Sequence, residues 1–302
     1  MDVTRPEGVS EPMPRDLPTY RPTDLPTYRP TDLPTFRPSD LPTFRPLPIM
    51  TRAILRNAGI HPRRLLSALQ GWRRYARDRS TFRRMAGPNA LRWGRELPML
   101  TEWNESSGSL GAYFFQDQLV ARWIYESGPT RHVDIGSRLD GFIGSLSVFR
   151  EVDVIDIRPE PASVNNVNFH QLDLMNELPD EWIACTDSLS CLHTIEHFGL
   201  GRYGDPIDPQ GHLKGIAQLK KMVKPGGVLY LSTQIGPQRI EFNAHRVFAP
   251  ETLAGWFGEG WEIEQCAVID DNTQVTESPG VEILKQFAGN LGVGIVAARK
   301  VE

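Results

Sequence analysis

Two aspartates and a group of imidazoles are the residues of this chain best placed to do chemistry. Asp134 and Asp156 stand 22 residues apart, each closing a short apolar run, and Gly136 and Gly141 lie in the turn after the first run. That spacing is close to the one with which a nucleotide-binding βαβ unit reaches a ribose. A carboxylate at the tip of the second strand accepts both ribose hydroxyl protons, and glycines let backbone N–H groups approach a ligand before a helix starts. The expected ligand is an adenosine-type cofactor lying across the carboxyl ends of the strands. The turn is not G-x-G-x-x-G, because Arg138 stands where a second glycine would be expected. Any parallel α/β unit can also carry Gly and Asp in its loops without binding a nucleotide.

The second group is His193, Glu196, His197, Asp205, His245 and Arg246, with Arg202 among them. A neutral imidazole takes the proton of a hydroxyl, and a guanidinium clamps an anion. His197 or His245 is expected as base, and Arg202 or Arg246 as clamp; the competing reading is that the Glu-His pair caps a helix while His245 and Arg246 brace a loop. His193 to His197 also reads H-x-x-E-H, a zinc-binding signature of peptidases when it lies within a long helix. Here it follows a strand and is cut short by Gly199 and Gly201, so no metal site is expected.

These groups need a scaffold. Strands are expected at His132–Ile135, Val152–Ile157, Val167–Gln171, Thr186–Leu192, Val228–Thr233, Trp261–Ile269 and Gly292–Arg299. Helices are expected at Leu110–Glu126, Phe142–Phe149, Asp208–Val223 and Pro250–Phe257. The alternation gives an α/β domain: a mostly parallel, doubly wound sheet covered by helices on both faces. Gly199–Pro209 is too rich in Gly and Pro for helix and reads as a lid or substrate loop. The aromatics of Leu110–Glu126, from Tyr113 to Tyr125, read as core, the alternative being that a helix just before the first strand covers the cofactor cleft.

Three domains follow. Residues 1–49 hold four copies of an octapeptide, DLPTYRPT and its variants, from Asp16 to Leu47. Two prolines in eight residues prevent regular structure, and an extended, disordered tail results. It reads either as a docking tail for Pro-binding modules or as an expanded repeat ahead of a start at Met50. Residues 50–109 are an Arg-rich helical extension, and residues 110–302 the α/β domain. Between Arg52 and Arg95 twelve Arg face one acid, Asp78, a local charge of +11 in a chain of net charge −4. A helix from Pro62 to about Arg77 places Leu65, Leu69, Trp72 and Ala76 on one side, so it lies either on an anionic membrane surface, over residues 62–86, or on the α/β domain with its Arg face solvated. No strong nucleic-acid signal is present, and oligomeric state is not legible. No apolar run reaches the roughly 20 residues of a membrane span, and Cys185, Cys191 and Cys266 show no C-x-x-C spacing. The expected location is cytoplasmic, peripheral to the inner membrane face if the basic helix docks.

The ordered set of motifs resembles the class I S-adenosylmethionine-dependent methyltransferases: strand, Gly turn, acid-tipped strand, Asp173-Leu174, a strand ending near Glu-His, and Lys224-Pro225-Gly226-Gly227 before a fifth strand. More narrowly HVDIGSRLDGF, VIDIRP, SLSCLHTIEHFGLGRYGDPIDP and EFNAHRVFAPETL resemble a bacterial family known as domain of unknown function 268, over Gly111 to about Asp270. The resemblance implies a Rossmann-like fold and S-adenosylmethionine as cofactor. It implies that Asp134, Gly136 and Ser137 cradle the methionine part, that Asp156 holds the ribose with Ile157 against the adenine, and that Asp173 and Leu174 contact the adenine. Cys191 to His193 would face the sulfonium. Arg138 would either pair with the cofactor carboxylate or fill the pocket. The implied activity is methyl transfer, and the basic segment and the polar loop suggest a small or glycan-related acceptor; the rival readings are a non-catalytic binding or scaffold protein on the same fold and, behind it, a zinc hydrolase.

Overall fold

The computed structural model describes residues 59, 62–86, 94–104, 108 and 110–301. The repeat tail lies outside the described residues. Two compact units divide between Asn104 and Glu105, close to the expected boundary at 109/110.

In the first unit α1 (Pro62–Met85) runs past the expected end at Arg77. Gly71 sits where a Cβ would lie 1.9 Å from the Leu100 carbonyl oxygen and 2.4 Å from the Trp103 ring, so the chain after the helix folds against it there. Leu65, Leu69 and Trp72, the expected apolar stripe, are each more than half exposed. No described helix is long and apolar enough to cross a membrane.

The second unit begins with α2 (Ala112–Ser127), ended by Gly128 in the left-handed conformation. It continues through β1 (His132–Ile135), a π turn at Leu139–Ile143, the single turn α3 (Gly144–Leu146), β2 (Val152–Asp156), β3 (Val167–Gln171) and β4 (Thr186–Leu192). After a 3-10 turn at Ile195–His197 come α4 (Gly211–Met222), β5 (Val223–Ile235), the hairpin β6 (Arg239–Glu241) and β7 (His245–Val247), and α5 (Pro250–Gly255). The chain closes with β8 (Trp261–Ile269), β9 (Val275–Ser278), α6 (Glu282–Lys285) and β10 (Gly292–Lys300).

The main sheet has the order β3-β2-β1-β4-β5-β10-β8-β9. Strands β3, β2, β1, β4 and β5 pair in parallel, and β10 enters antiparallel between β5 and β8. This is the mostly parallel Rossmann-like sheet implied by the methyltransferase resemblance, with apolar cores on both faces. One face buries Ile216, Leu219 and Met222 of α4 with Leu253 of α5; the other buries Leu119, Val120 and Ile124 of α2 with Phe142, Ile143 and Leu146. Of the expected helix Phe142–Phe149 only Gly144–Leu146 is α-helical, Phe142 and Ile143 belonging to the π turn and 147–149 to a turn, and the hairpin, β9 and α6 were not legible. The aromatics of α2 are not core as a set: Trp123 is buried, whereas Tyr113, Phe114 and Tyr125 are exposed.

Chain order reverses between β1 and β4, and loops at the carboxyl ends of strands part at such a switch point. Beneath it the sheet carries polar residues. His132 pairs with Ser188 and Asp134 with Ser190 across the β1/β4 ladder, and all four are at most 1% exposed. Ser190 donates its hydroxyl to Asp134 Oδ2 (2.5 Å), and His132 spans Ser188 (2.7 Å) and Ser190 (3.1 Å) with its two ring nitrogens. Asp134 also accepts from Ser137, both N–H (3.0 Å) and hydroxyl (2.9 Å). Every polar atom of this row finds a partner, which is what makes its burial tolerable.

Burial pushes Asp134 up to about 7 from 3.8, against the hydrogen bonds from Ser190 and Ser137. Burial holds His132 down at about 3, so this imidazole stays neutral. A carboxyl raised in the folded state stabilises fully below its unfolded pKa and loses that contribution as pH rises through the folded value. Asp134→Asn mimics the protonated form at every pH. Urea denaturation from pH 4 to 8 is therefore expected to show the wild type losing stability relative to the variant between 3.8 and about 7, and parallel curves would mean that Asp134 does not titrate in that window.

Candidate functional site

A cleft of about 1190 Å³ opens at the carboxyl ends of β1, β2, β3 and β4. Its first wall is the turn after β1. Gly136 has φ +72°, and a Cβ there would lie 2.4 Å from Thr194 Cγ2. The turn is pinned from below by Asp134 through Ser137 and from the side by Gly136 N–H donating to the Ile155 carbonyl (2.8 Å). Gly141 breaks the π turn with φ −128° and ψ −108°.

Asp156, Ile157, Asp173 and Leu174 line the same cleft. Both Asp156 oxygens are engaged by Arg158: Oδ1 accepts from its N–H (2.8 Å) and Nε (3.0 Å), Oδ2 from Nη2 (2.6 Å). A carboxylate has about four lone-pair sites, so room is left for further donors. Asp173 caps its own loop by accepting from the Met175 N–H (2.9 Å) and Asn176 Nδ2 (3.2 Å). Arg138 does not fill the cleft: it forms a two-point pair with Asp140 (2.9 and 2.7 Å), both side chains being largely exposed.

The opposite wall is the segment after β4. His193 has φ +49°, a conformation unusual for a residue with a side chain, and its N–H donates to the Ser232 hydroxyl (3.1 Å). Its Nδ1 lies 2.8 Å from Glu196 Oε1, and its ring lies 4.6 Å from that of Tyr113. Glu196 is fully buried and accepts from the Thr233 hydroxyl (3.2 Å). Burial acts to raise Glu196, yet the neighbouring His193 and His197 outweigh it and hold the carboxyl below its ordinary value. An ionised carboxylate fixes Nδ1 as the protonated nitrogen of His193 and leaves Nε2 as an acceptor. Nε2 is buried without a hydrogen-bond partner, and the residue lines the cleft.

His197 also lines the cleft, with Nδ1 donating to the Ala244 carbonyl (2.7 Å), and burial lowers its pKa. Arg202 and Tyr203 follow on the loop Gly199–Pro209. That loop is set from inside by Asp205, which accepts from the N–H groups of Gly199 (2.8 Å), Gly201 (3.1 Å) and Tyr203 (3.1 Å). Gly211 and Gly215 let α4 approach the 3-10 turn, since a Cβ on Gly215 would lie 2.6 Å from the Phe198 ring.

Of the residues singled out in sequence, Gly136, Ser137, Asp156, Ile157, Asp173, Leu174, His193, His197 and Arg202 meet in this cleft. Five do not line it. Asp134 is 0% exposed and acts on the turn from beneath, so it does not cradle a ligand directly. Cys191 points into the other face of the sheet with Leu189, as strand alternation requires, and burial raises its thiol well above the usual range. Glu196 stands behind His193. His245 sits in β7, 3.2 Å from Glu241, and is corrected as a base. Arg246 is corrected as a clamp: it is 4% exposed and donates to the carbonyls of Phe198 (2.6 Å), Glu196 and Pro209 (both 3.3 Å) and Asp208 (3.4 Å). The loop-bracing alternative therefore describes both residues better. No group of three His, Cys, Asp or Glu able to hold a metal occurs among the described residues, and the H-x-x-E-H glutamate faces His193 and Thr233 from beneath the cleft.

Sequence reasoning missed Tyr113, Gln116 and Asp117 of α2, which line the cleft, together with Arg158 and Tyr203. Gln116 Oε1 accepts from Ser232 (2.5 Å), and the polar run Gln116 to Gln118 among the aromatics and aliphatics of this helix was the available signal.

The family described as Caenorhabditis protein of unknown function, DUF268, matches residues 163–276. The match spans the HTIEH and EFNAHRVF motifs but not the β1 turn or β2, and the family is not described as bacterial, which corrects both expectations. No curated protein matches the chain. Among solved structures it is similar to the N-methyltransferase NodS from Bradyrhizobium japonicum in complex with S-adenosyl-L-homocysteine (14% identity, 62% of this chain, 86% of that one, TM-score 0.42). It is similar also to the Burkholderia thailandensis 1,6-didemethyltoxoflavin-N1-methyltransferase (14%, 87% and 94%, 0.43) and to the [4+2]-cyclase SpnF (15%, 61% and 81%, 0.42).

Arg246 gives a direct test of how the lid loop is held. Arg246→Met keeps much of the side-chain volume but leaves the carbonyls of Glu196, Phe198 and Pro209 without the guanidinium donor, while Asp208 keeps the Gly211 N–H, each unmet buried group costing about 1–3 kcal/mol. The variant is expected to show faster amide exchange across residues 199–210 while β1 and β2 keep their protection; exchange unchanged in the loop would remove the brace.

Proposed function

We propose that this chain is an S-adenosylmethionine-dependent methyltransferase acting on a small acceptor, with His193 as the base that takes the acceptor's proton. The observation that carries the reading is the His193–Glu196 pair: a buried carboxylate fixes one ring nitrogen and leaves the other unpartnered at the wall of a cleft whose far end is nucleoside-sized.

The residues present suit the cofactor. The Gly136–Ser137 turn lines the cleft with little side chain, and Asp156, which accepts three bonds from Arg158, keeps one lone pair free for a ribose hydroxyl. Ile157 and Leu174 offer apolar surface for a purine, and the turn held by Asp134 suits the amino-acid end. When bound, the cofactor supplies an activated methyl group. The chain's own part is then to orient, to exclude water and to move a proton. Nε2 of His193 accepts the hydroxyl proton while Glu196 stabilises the resulting imidazolium through Nδ1–H. The Tyr113 ring, 4.6 Å from that of His193, covers this imidazole from α2.

The rival reading, a non-catalytic binding protein on the same fold, is favoured by one observation: Asp156 is already paired with Arg158. Isothermal titration calorimetry with S-adenosylmethionine and S-adenosylhomocysteine separates the two. Binding is expected, and Asp156→Ala is expected to abolish it; no heat at millimolar ligand would support the rival. His193→Asn and Glu196→Gln should keep cofactor binding within about twofold while lowering methyl transfer by roughly 10²–10⁴-fold, the usual contribution of a positioned base. Loss of cofactor affinity in His193→Asn would instead make His193 a binding residue.

A further inference from the structure

We infer that the mouth of the cleft holds a subsite for an anionic group, a phosphate or carboxylate carried by the acceptor, built from Arg202 and Arg158 around the ring of Tyr203. Only the word acceptor rests on the methyltransferase reading. The subsite itself is read from the charges around the cleft.

Three guanidinium groups line this cleft, and two are neutralised. Arg138 is spent on Asp140, and Arg158 on Asp156. Arg202 has no carboxylate within 4.0 Å among the described residues. Its one short hydrogen bond goes to the neutral Ala244 carbonyl (2.8 Å), and the remaining contact is His197 Nδ1 at 3.4 Å. The acid nearest in sequence, Asp205, is taken up by three backbone N–H groups. Four of the five guanidinium N–H groups thus remain for a ligand, in the fork geometry that receives an oxyanion at two points.

The neighbours order the guanidinium without drawing on its charge. His197 gives its Nδ1–H to the same Ala244 carbonyl, and burial, with Arg202 beside it, lowers its pKa. It therefore offers a neutral ring rather than a competing cation. Tyr203 lies 5.5 Å from that ring, edge to face. Both Arg202 (5.1 Å) and Arg158 (4.5 Å) lie over the Tyr203 ring, so one aromatic face orders two guanidinium groups that belong to different loops.

Arg158 links the two ends of the cleft. While Asp156 holds it, its charge is cancelled; a ribose diol donating to Asp156 competes for the same oxygens and frees the guanidinium to turn toward an anion beside Arg202. The two ligands then assist each other, with the nucleoside first.

Calorimetry on the full chain tests this with inorganic phosphate as probe, alone and with saturating S-adenosylhomocysteine. Phosphate is expected to bind in the millimolar range and to bind more tightly once the nucleoside is present. Arg202→Gln should weaken phosphate roughly tenfold or more, the loss of one charge-assisted pair, while S-adenosylhomocysteine affinity stays within about twofold. Arg202→Lys should fall between, keeping charge without the fork. Arg158→Gln should remove the tightening by the nucleoside. Circular dichroism checks that the variants are folded. Phosphate binding absent at tens of millimolar, or equal in Arg202→Gln and wild type, overturns the subsite; an equal loss of S-adenosylhomocysteine affinity in Arg202→Gln would assign the guanidinium to the cofactor and overturns it too. Failure of S-adenosylhomocysteine to bind the wild type would remove the methyltransferase reading, while the phosphate arms still decide the subsite.

Discussion

A carboxyl group with no access to water can remain in a sheet only if both its oxygens are met, and Asp134 meets this condition by joining the neighbouring strand to the turn ahead of it. Its oxygens accept from Ser190 on the neighbouring strand and from Ser137 in the turn ahead, while His132 and Ser188 complete the row below. The cost of burying the group is thereby turned into geometry. Because the acceptors are directional, the turn after β1 cannot rotate without stranding them, and Gly136 stays in the left-handed region that presents backbone rather than side chain to the cleft. The opposite wall depends on the same turn, since Thr194 packs where a Gly136 side chain would have been.

Around the cleft, charge follows a simple economy. The acids near its mouth are each engaged: Asp140 and Asp156 by arginines, Asp205 by backbone N–H groups, and Asp173 by its own loop. Glu196 lies below and serves the imidazole. What is left unmet is a buried imidazole nitrogen of His193, behind the cleft wall, and the guanidinium of Arg202 at its rim. A proton acceptor and an anion receptor on one wall are complementary requirements of a hydroxyl compound that also carries negative charge. Low dielectric around the imidazole strengthens its pairing with Glu196, whereas Arg202 stands at the wetter rim, where a two-point contact matters more than the bare charge.

Much of this was legible before any coordinates, and the failures have physical causes. The β1, β3, β4 and β8 boundaries follow from alternating or continuous apolar runs, and the acid-tipped strands located the cleft. Periodicity alone does not say which face a residue takes at a strand's end, so Cys191 was expected at the cleft although Leu192, one residue on, is the one that lines it. The row of His132, Asp134, Ser188 and Ser190 was visible as polar residues at every second position of two central strands, yet only the register places them opposite one another. Arg246 and Arg202 have the same chemistry in sequence; burial against four carbonyls makes one a brace, and exposure beside a single carbonyl makes the other a receptor. His197 or His245 was the expected base, and the left-handed backbone at His193, beside Glu196, has no signature in residue type.

The lid loop shows how the two walls become one device. Its ends are closed on each other, with Asp208 N–H donating to the Gly199 carbonyl (2.9 Å) and no space for a Cβ on Gly199 against the Asp208 oxygen. Its inside is filled by the Asp205 carboxylate, and its base rests on the Arg246 guanidinium. A loop so held does not need packing of its tip to keep a shape, so Tyr203 and Arg202 can stand out toward the cleft while remaining fixed. The contact between Tyr203 and Arg158 then joins this rigid loop to the tip of β2. That contact is weak compared with the internal bonds of the loop, an exposed cation over an aromatic face being worth only about 0.5–1 kcal/mol. The contact between the loop and the tip of β2 is therefore the weaker of the two, and the shape of the loop rests on its own hydrogen bonds.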